Sequence, residues 1–170
     1  LFTALAGLVG DDGVPGGGSA LDVLAPGPDG DRRYRDAYPG ADAHRLDELV
    51  QSDWLFRMPT LHLADAQLAG GGRVHVYELT WPARGMGGLF GACHGLDVPL
   101  VFGNLDRGQP SVLIGTPPSP EAELVSAAMR TAWASFAADG HPGWPAYDAT
   151  SRPTMTVDVE RAVAAYPEEA

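Results

Sequence analysis

His94 is the residue in this sequence best suited to acid–base chemistry. It lies in the run Gly91-Ala92-Cys93-His94-Gly95-Leu96-Asp97. Imidazole has the side-chain pKa nearest neutrality, so it can accept and return a proton within one turnover. Small neighbours, Gly91, Ala92 and Gly95, let the backbone bend sharply and leave the ring uncovered. Cys93 is the only cysteine, which rules out an intrachain disulfide and a thiolate metal centre. As a nucleophile it is disfavoured, because adjacent side chains on an extended loop point apart. Asp97 could orient the imidazole, but a carboxylate ahead of Val98-Pro99 fits a helix cap better. Asp11 and Asp12 sit between Gly10 and Gly13 and read as a turn.

The elements around His94 follow from periodicity. Leu46, Leu49, Val50, Trp54, Leu55 and Met58 recur at helical spacing behind a candidate cap at Asp42. Pro59 interrupts that helix, and Leu61, Leu63, Ala64, Gln67 and Leu68 continue it until Gly70-Gly71-Gly72. His62 belongs to this segment as a packed or exposed helix residue. The β-branched and aromatic run 74–81 predicts a strand bulky on both faces, as in a sheet flanked by helices, with His75 packed or hydrogen-bonded. Residues 82–89 read as a flexible connection and 108–120 as a proline-rich loop. Ser119-Pro120-Glu121 opens the strongest helix, and Gly140 stops it. Its core-forming stripe is Leu124, Val125, Ala128, Met129, Ala132, Trp133, Phe136 and Ala137. An extended return, a short strand at 154–158 and a modest helical tail over 158–170 complete the chain. Residues 10–40, rich in Gly, Pro and Asp, read as mobile loop with one short helix near Ala20–Leu24.

With 170 residues, 45% of them apolar, the chain can bury one substantial core. Eleven basic residues, all arginine, against 22 acidic ones give a net charge of −11. Such a surface disfavours nucleic acid and anionic membranes, both of which reward basic clusters. No apolar run reaches the ~18 residues of a membrane span. Because the chain opens at Leu1, in what reads as mid-element, it is expected to be a fragment.

Five blocks in order carry a resemblance. They are Ser52-Asp53-Trp54-Leu55-Phe56-Arg57-Met58-Pro59; Val76-Tyr77-Glu78-Leu79; the run from Gly91 through His94 to Gly103; Met129-Arg130-Thr131-Ala132-Trp133-Ala134-Ser135-Phe136-Ala137 with Gly140 and Pro142; and Trp144-Pro145-Ala146-Tyr147 with the later Met155. Together they resemble the C-terminal part of the type B carboxylesterases, the para-nitrobenzyl-esterase-like and cholinesterase-like α/β-hydrolases. The third block is the distinctive one, matching "GAxHGxE/DLPFVFG" with Val98 and Leu100 in place of the commoner Leu and Phe.

The resemblance implies an α/β fold, specifically the C-terminal portion of one α/β-hydrolase domain over 1–170, incomplete as given. It implies a serine–acid–histidine triad in that chain order, with His94 as the catalytic base, a small-molecule carboxylic ester as substrate, and neither metal nor cofactor. No Gly-x-Ser-x-Gly occurs here, and Leu1-Phe2 would fall just past the family's acid. Nucleophile and acid are therefore expected upstream, and the isolated chain is expected to be inactive. The alternative from another class is a non-catalytic, cholinesterase-like interaction module. A third possibility is a separately folding helical-plus-strand domain. Phe90, Leu96 and Met86 flank His94 and would border a substrate gorge. Acyl preference, localisation and oligomeric state are not legible.

Overall fold

The computed structural model describes residues 19–166. The expectations for 1–9, for Asp11-Asp12 and for the last few residues fall wholly or partly outside that range. The chain divides between Gly72 and Arg73 into two compact units.

The first unit is helical. Helix α1 (Ala20–Leu24) opens on a capping box in which Ser19 and Asp22 each accept the other's backbone N–H at 3.2 Å. The loop expected through residue 40 is corrected by helix α2 (Gly30–Ala37). Only Tyr34 of Asp-Arg-Arg-Tyr-Arg-Asp is both apolar and buried, so this helix leaves no periodic signal in the sequence. Its anchor is partly polar: the Tyr34 hydroxyl donates to Asp53 Oδ2 at 2.7 Å. Helix α3 (Ala43–Ser52) starts where expected, with Asp42 Oδ1 accepting from Arg45 N at 2.8 Å. Leu46, Leu49 and Val50 from α3 join Ala20, Leu21 and Tyr34 in the core of this unit. Leu21 N also donates to Asp47 Oδ1 at 2.8 Å, which ties α1 to α3.

Asp53–Arg57 is one wide, π-helical turn before helix α4 (Met58–Ala69). Pro59 explains the widening. Its ring has no N–H to donate and would collide with the carbonyl four residues back in a regular α-turn. The changed turn also rotates the helix phase, which corrects the expected stripe. Trp54 is 58% exposed, and Leu55, Phe56 and Met58 are exposed with it.

The second unit holds a three-stranded sheet in the order β1 (Val76–Leu79), β2 (Pro153–Val157), β3 (Ala162–Ala165). β1 pairs parallel to β2, from Val76 opposite Thr154 to Leu79 opposite Val157. β3 pairs antiparallel to β2, with Thr156 opposite Ala162. The helical tail expected over 158–170 is thus corrected within 162–165. Ala-Val-Ala-Ala favours helix intrinsically, but the edge of β2 supplies backbone partners, and pairing overrides propensity. The expected strand at 74–81 is real but regular only at its centre.

A parallel pair needs a long crossover. Here it contains α5 (Asp97–Phe102), α6 (Pro110–Ile114) and α7 (Pro120–Asp139). Helix α6 corrects the expected loop over 108–120. A 3₁₀ turn, Gly85–Gly88, occupies part of the 82–89 connection and seats against α6. A methyl group at Gly85 would lie 2.0 Å from the carbonyl oxygen of Val112, so only glycine permits the approach.

Helix α7 begins as predicted, Ser119 accepting from Ala122 N at 3.2 Å with Pro120 in the first turn, and a left-handed Gly140 ends it. Its buried seam is narrower than the expected stripe: Ala122, Val125, Ser126, Met129 and Ala132. Leu124, at 61%, and Phe136 stand exposed, and Trp133 is partly so. Ser126 escapes an apolar pattern because it is polar. Burial is tolerated because its hydroxyl donates to Leu100 O at 2.7 Å. The core of this unit gathers Trp81, Leu96, Leu100, Ile114, Val125, Met129 and Val157.

Candidate active site

After β1 the chain passes through buried Trp81 and Ala83 and the 3₁₀ turn before reaching His94. Backbone hydrogen bonds fold the approach back on itself: Ala83 N to Gly91 O at 3.1 Å, Gly91 N to Gly88 O at 3.2 Å, and Leu96 N to Cys93 O at 3.2 Å. Gly91 at φ 54° and Gly95 at φ 80° take the left-handed conformation expected of glycines flanking a sharp bend. His94 sits on the turn between them, exposed. Its neighbour does the opposite. Cys93 is half-buried against the core, and burial pushes its thiol above the ordinary value. A thiol held protonated is a poor nucleophile, and the imidazole is the group presented outward.

The chain immediately after His94 is firmly anchored. Leu96 and Leu100 are fully buried, and Ser126 of α7 holds the Leu100 carbonyl. Leu96 therefore belongs to the core, which corrects its expected place beside a gorge; Met86 is 56% exposed and Phe90 half-buried. Asp97 does not cap α5, contrary to expectation. Leu96 occupies the cap position in helical conformation, and Asp97 is already the first helical residue. The carboxylate turns instead to the sheet: Tyr77 of β1 donates its hydroxyl to Asp97 Oδ2 at 3.3 Å. The Tyr77 ring also meets Trp133 of α7 edge-on, with centroids 4.9 Å apart and an 82° interplanar angle. Burial first, and then the Asp97 charge and hydrogen bond, raise the Tyr77 hydroxyl above its ordinary value, so it stays a proton donor.

Tyr77 is the residue that sequence reasoning missed. It lies 20 residues before Asp97, and no local spacing pairs the two. The other histidines fall outside this cluster. His62 is exposed on α4. His75, just before β1, donates from Nδ1 to the carbonyls of Trp144 and Pro145 at 3.0 and 3.2 Å, and meets Phe136 and Trp144 edge-on. That is the packed, hydrogen-bonded role expected of it. Among the described residues, no group of three or more His, Cys, Asp or Glu is placed to hold a metal ion, and no helix is long and apolar enough to cross a membrane.

An outward imidazole on a turn between a strand and a core-anchored helix can relay a proton to whatever meets that surface. Comparisons with known proteins specify the context. A model of the carboxylesterase family matches residues 33–169. The para-nitrobenzyl esterase of Bacillus subtilis (strain 168) is 29% identical over 141 residues, covering 80% of this chain and 28% of that protein. A solved PNB esterase is similar with a TM-score of 0.67 at 29% identity, over 88% of this chain and 30% of its own. A carboxylesterase of Geobacillus stearothermophilus, solved at pH 6.2, matches with a TM-score of 0.67 at 28% identity, over 80% of this chain and 29% of its own. The chain thus spans less than a third of the length of these relatives. The small sheet and its helices are part of an α/β-hydrolase fold. With the His94 turn, the sheet and helices α3 to α7 all inside one match, this chain belongs to the type B carboxylesterase family.

Proposed function

We propose that this chain supplies the general base of a serine carboxylic ester hydrolase, and that His94 is that base. The observation that carries the proposal is the His94 turn: an exposed imidazole between two left-handed glycines, followed by a short helix anchored in the core by Leu96 and Leu100, in a chain of this family. The nucleophilic serine and the acid come from the rest of the complete protein, and 1–170 is one stretch of a single hydrolase domain. The family match running through both compact units supports that assignment.

The chemistry has two halves. His94 takes the serine proton as the serine oxygen attacks the ester carbonyl, and returns it to the departing alcohol, leaving an acyl-enzyme. Water then replaces the alcohol, with His94 again removing and returning the proton. The acid fixes the imidazole tautomer, and donors elsewhere in the protein stabilise the oxyanion. Without nucleophile and oxyanion donors the imidazole has nothing to activate, so the 170-residue chain alone is expected to be inactive.

p-Nitrophenyl acetate and butyrate test this directly, and the name of the Bacillus relative adds para-nitrobenzyl esters. The product of the complete reading frame should turn these over, and His94→Ala should lower kcat by about 10⁴-fold or more. Hydrolysis by the 170-residue chain that persists in His94→Ala would defeat the assignment. A complete product that folds but hydrolyses none of these esters would favour the non-catalytic interaction module.

A further inference from the structure

We infer that Tyr77 and Asp97 act together as positioning residues for His94, a link across the β1–α5 junction that sets where the imidazole turn sits. This rests on the reading of His94 as the general base.

Three observations carry it. First, Asp97 reads in the sequence as a cap but does not cap: Leu96 takes the cap position, Asp97 is the first residue inside α5, and its carboxylate accepts from Tyr77. A carboxylate in the first turn already suits the helix dipole, so the strand contact is an additional use of the same charge. Second, Asp97 follows His94 by three residues across a turn in which Leu96 N bonds to Cys93 O and Val98 N to Gly95 O. A shift of the Asp97 backbone is therefore passed to His94 through closed hydrogen-bonded loops rather than through slack chain. Third, Tyr77 is itself fixed from two sides, by β1 pairing with β2 and by its edge-on contact with Trp133.

The hydroxyl contact, at 3.3 Å, is longer than the ~2.7–2.8 Å usual for O–H···O. It is directional more than strong. Its use lies in register: it selects one placement of the α5 N-terminus against the sheet, while Leu96 and Leu100 supply the burial. The hydroxyl facing the carboxylate adds an orientational preference that the apolar contacts of the leucines lack. Near-attack geometry is lost over about 1 Å, which makes a weak but directional contact consequential for a proton-transfer group.

The test uses the product of the complete reading frame with p-nitrophenyl butyrate. Tyr77→Phe removes the donor and keeps the ring against Trp133; Asp97→Ala removes the acceptor; Asp97→Asn keeps an amide oxygen that can still accept. Tyr77→Phe and Asp97→Ala should each lower kcat about tenfold with KM changed less than about twofold. The double variant should be no worse than the poorer single, as for two halves of one contact. Asp97→Asn should recover most of the loss. Unchanged kcat in Tyr77→Phe, a change confined to KM, or an Asp97→Asn as poor as Asp97→Ala would overturn the inference. If Tyr77→Phe does not fold, the contrast of Asp97→Asn with Asp97→Ala decides alone. A His94→Gln variant run alongside separates the two levels. Retained turnover there removes the general-base reading itself, whereas lost turnover with a fully active Tyr77→Phe removes only the positioning role.

Discussion

Gly95 holds the left-handed bend directly after His94, at φ 80°, and among the described residues nothing beyond its chain neighbours lies within 4 Å of where a Cβ would stand. Backbone conformation alone is enough to demand glycine there. Gly95→Ala should cost about 1–2 kcal/mol, the strain of a side chain in that region. The strain is relieved most easily by relaxing φ, which reorients the preceding residue. Ester hydrolysis should accordingly fall further than the shift in melting temperature would suggest. Parallel kinetics and thermal unfolding of Gly95→Ala, in the product of the complete reading frame, check this. Activity falling only in proportion to stability would mean the bend is structural and does not aim His94.

Among the elements, the 3₁₀ turn and α6 pose the opposite case. At Gly85 the obstruction is backbone, with the carbonyl oxygens of Val112 and Leu113 at 2.0 and 2.3 Å from a Cβ. The obstructing atoms are backbone and cannot turn away as a side-chain tip would, so Gly85→Ala should cost about 3 kcal/mol, at the upper end of ordinary overpacking. Denaturant unfolding measures it, and a loss near that of Gly95→Ala would contradict the packing of turn on helix. The pair also shows what the sequence can disclose. Glycines beside His94 announce a bend because bend and histidine are contiguous. Nothing local marks Gly85 as the floor under a helix 25 residues later. The same distinction runs through the fold. Helices α3 and α7 were legible, each opening on a capping residue and carrying a periodic apolar face. Helix α2 was not, having a single buried aromatic among charges. β3 reads as helix until β2 is there to pair with it. In the candidate site, the bend that presents His94 was legible from the glycines beside it. Tyr77 was not, because its partner is set by how strand and helix meet.

At the scale of the molecule, Tyr34 in one compact unit and Tyr77 in the other each carry a hydroxyl held protonated. Burial raises Tyr34 most, followed by its hydrogen bond to Asp53 and that carboxylate's charge; burial also leads for Tyr77, followed by Asp97. Both therefore ionise above the ordinary value of 10.0. Between the unfolded and folded values the unfolded chain binds fewer protons, so stability falls with rising pH. The contribution is fully present below about pH 10 and is lost progressively above it. Melting temperature followed from pH 9 to 12 should drop across that range, with the tyrosinate absorbance step coinciding with unfolding. Tyr34→Phe and Tyr77→Phe should each flatten the slope. An unaltered slope in both would place the alkaline loss elsewhere, in repulsion across a surface that already carries −11.

The single sulfur offers a different use of this architecture. Cys93 faces the core one residue before an outward His94, and no other cysteine exists to compete with it. Because Cys93 is half-buried, a thiol reagent added to the folded protein reaches that sulfur more slowly than in the unfolded chain, and faster when the segment breathes. Its labelling rate then rises with the fraction of time the turn is open, above the baseline set by the half-buried closed state. The molecule thus carries a stopwatch beside its candidate base, one that times the opening of the His94 segment with no substrate present.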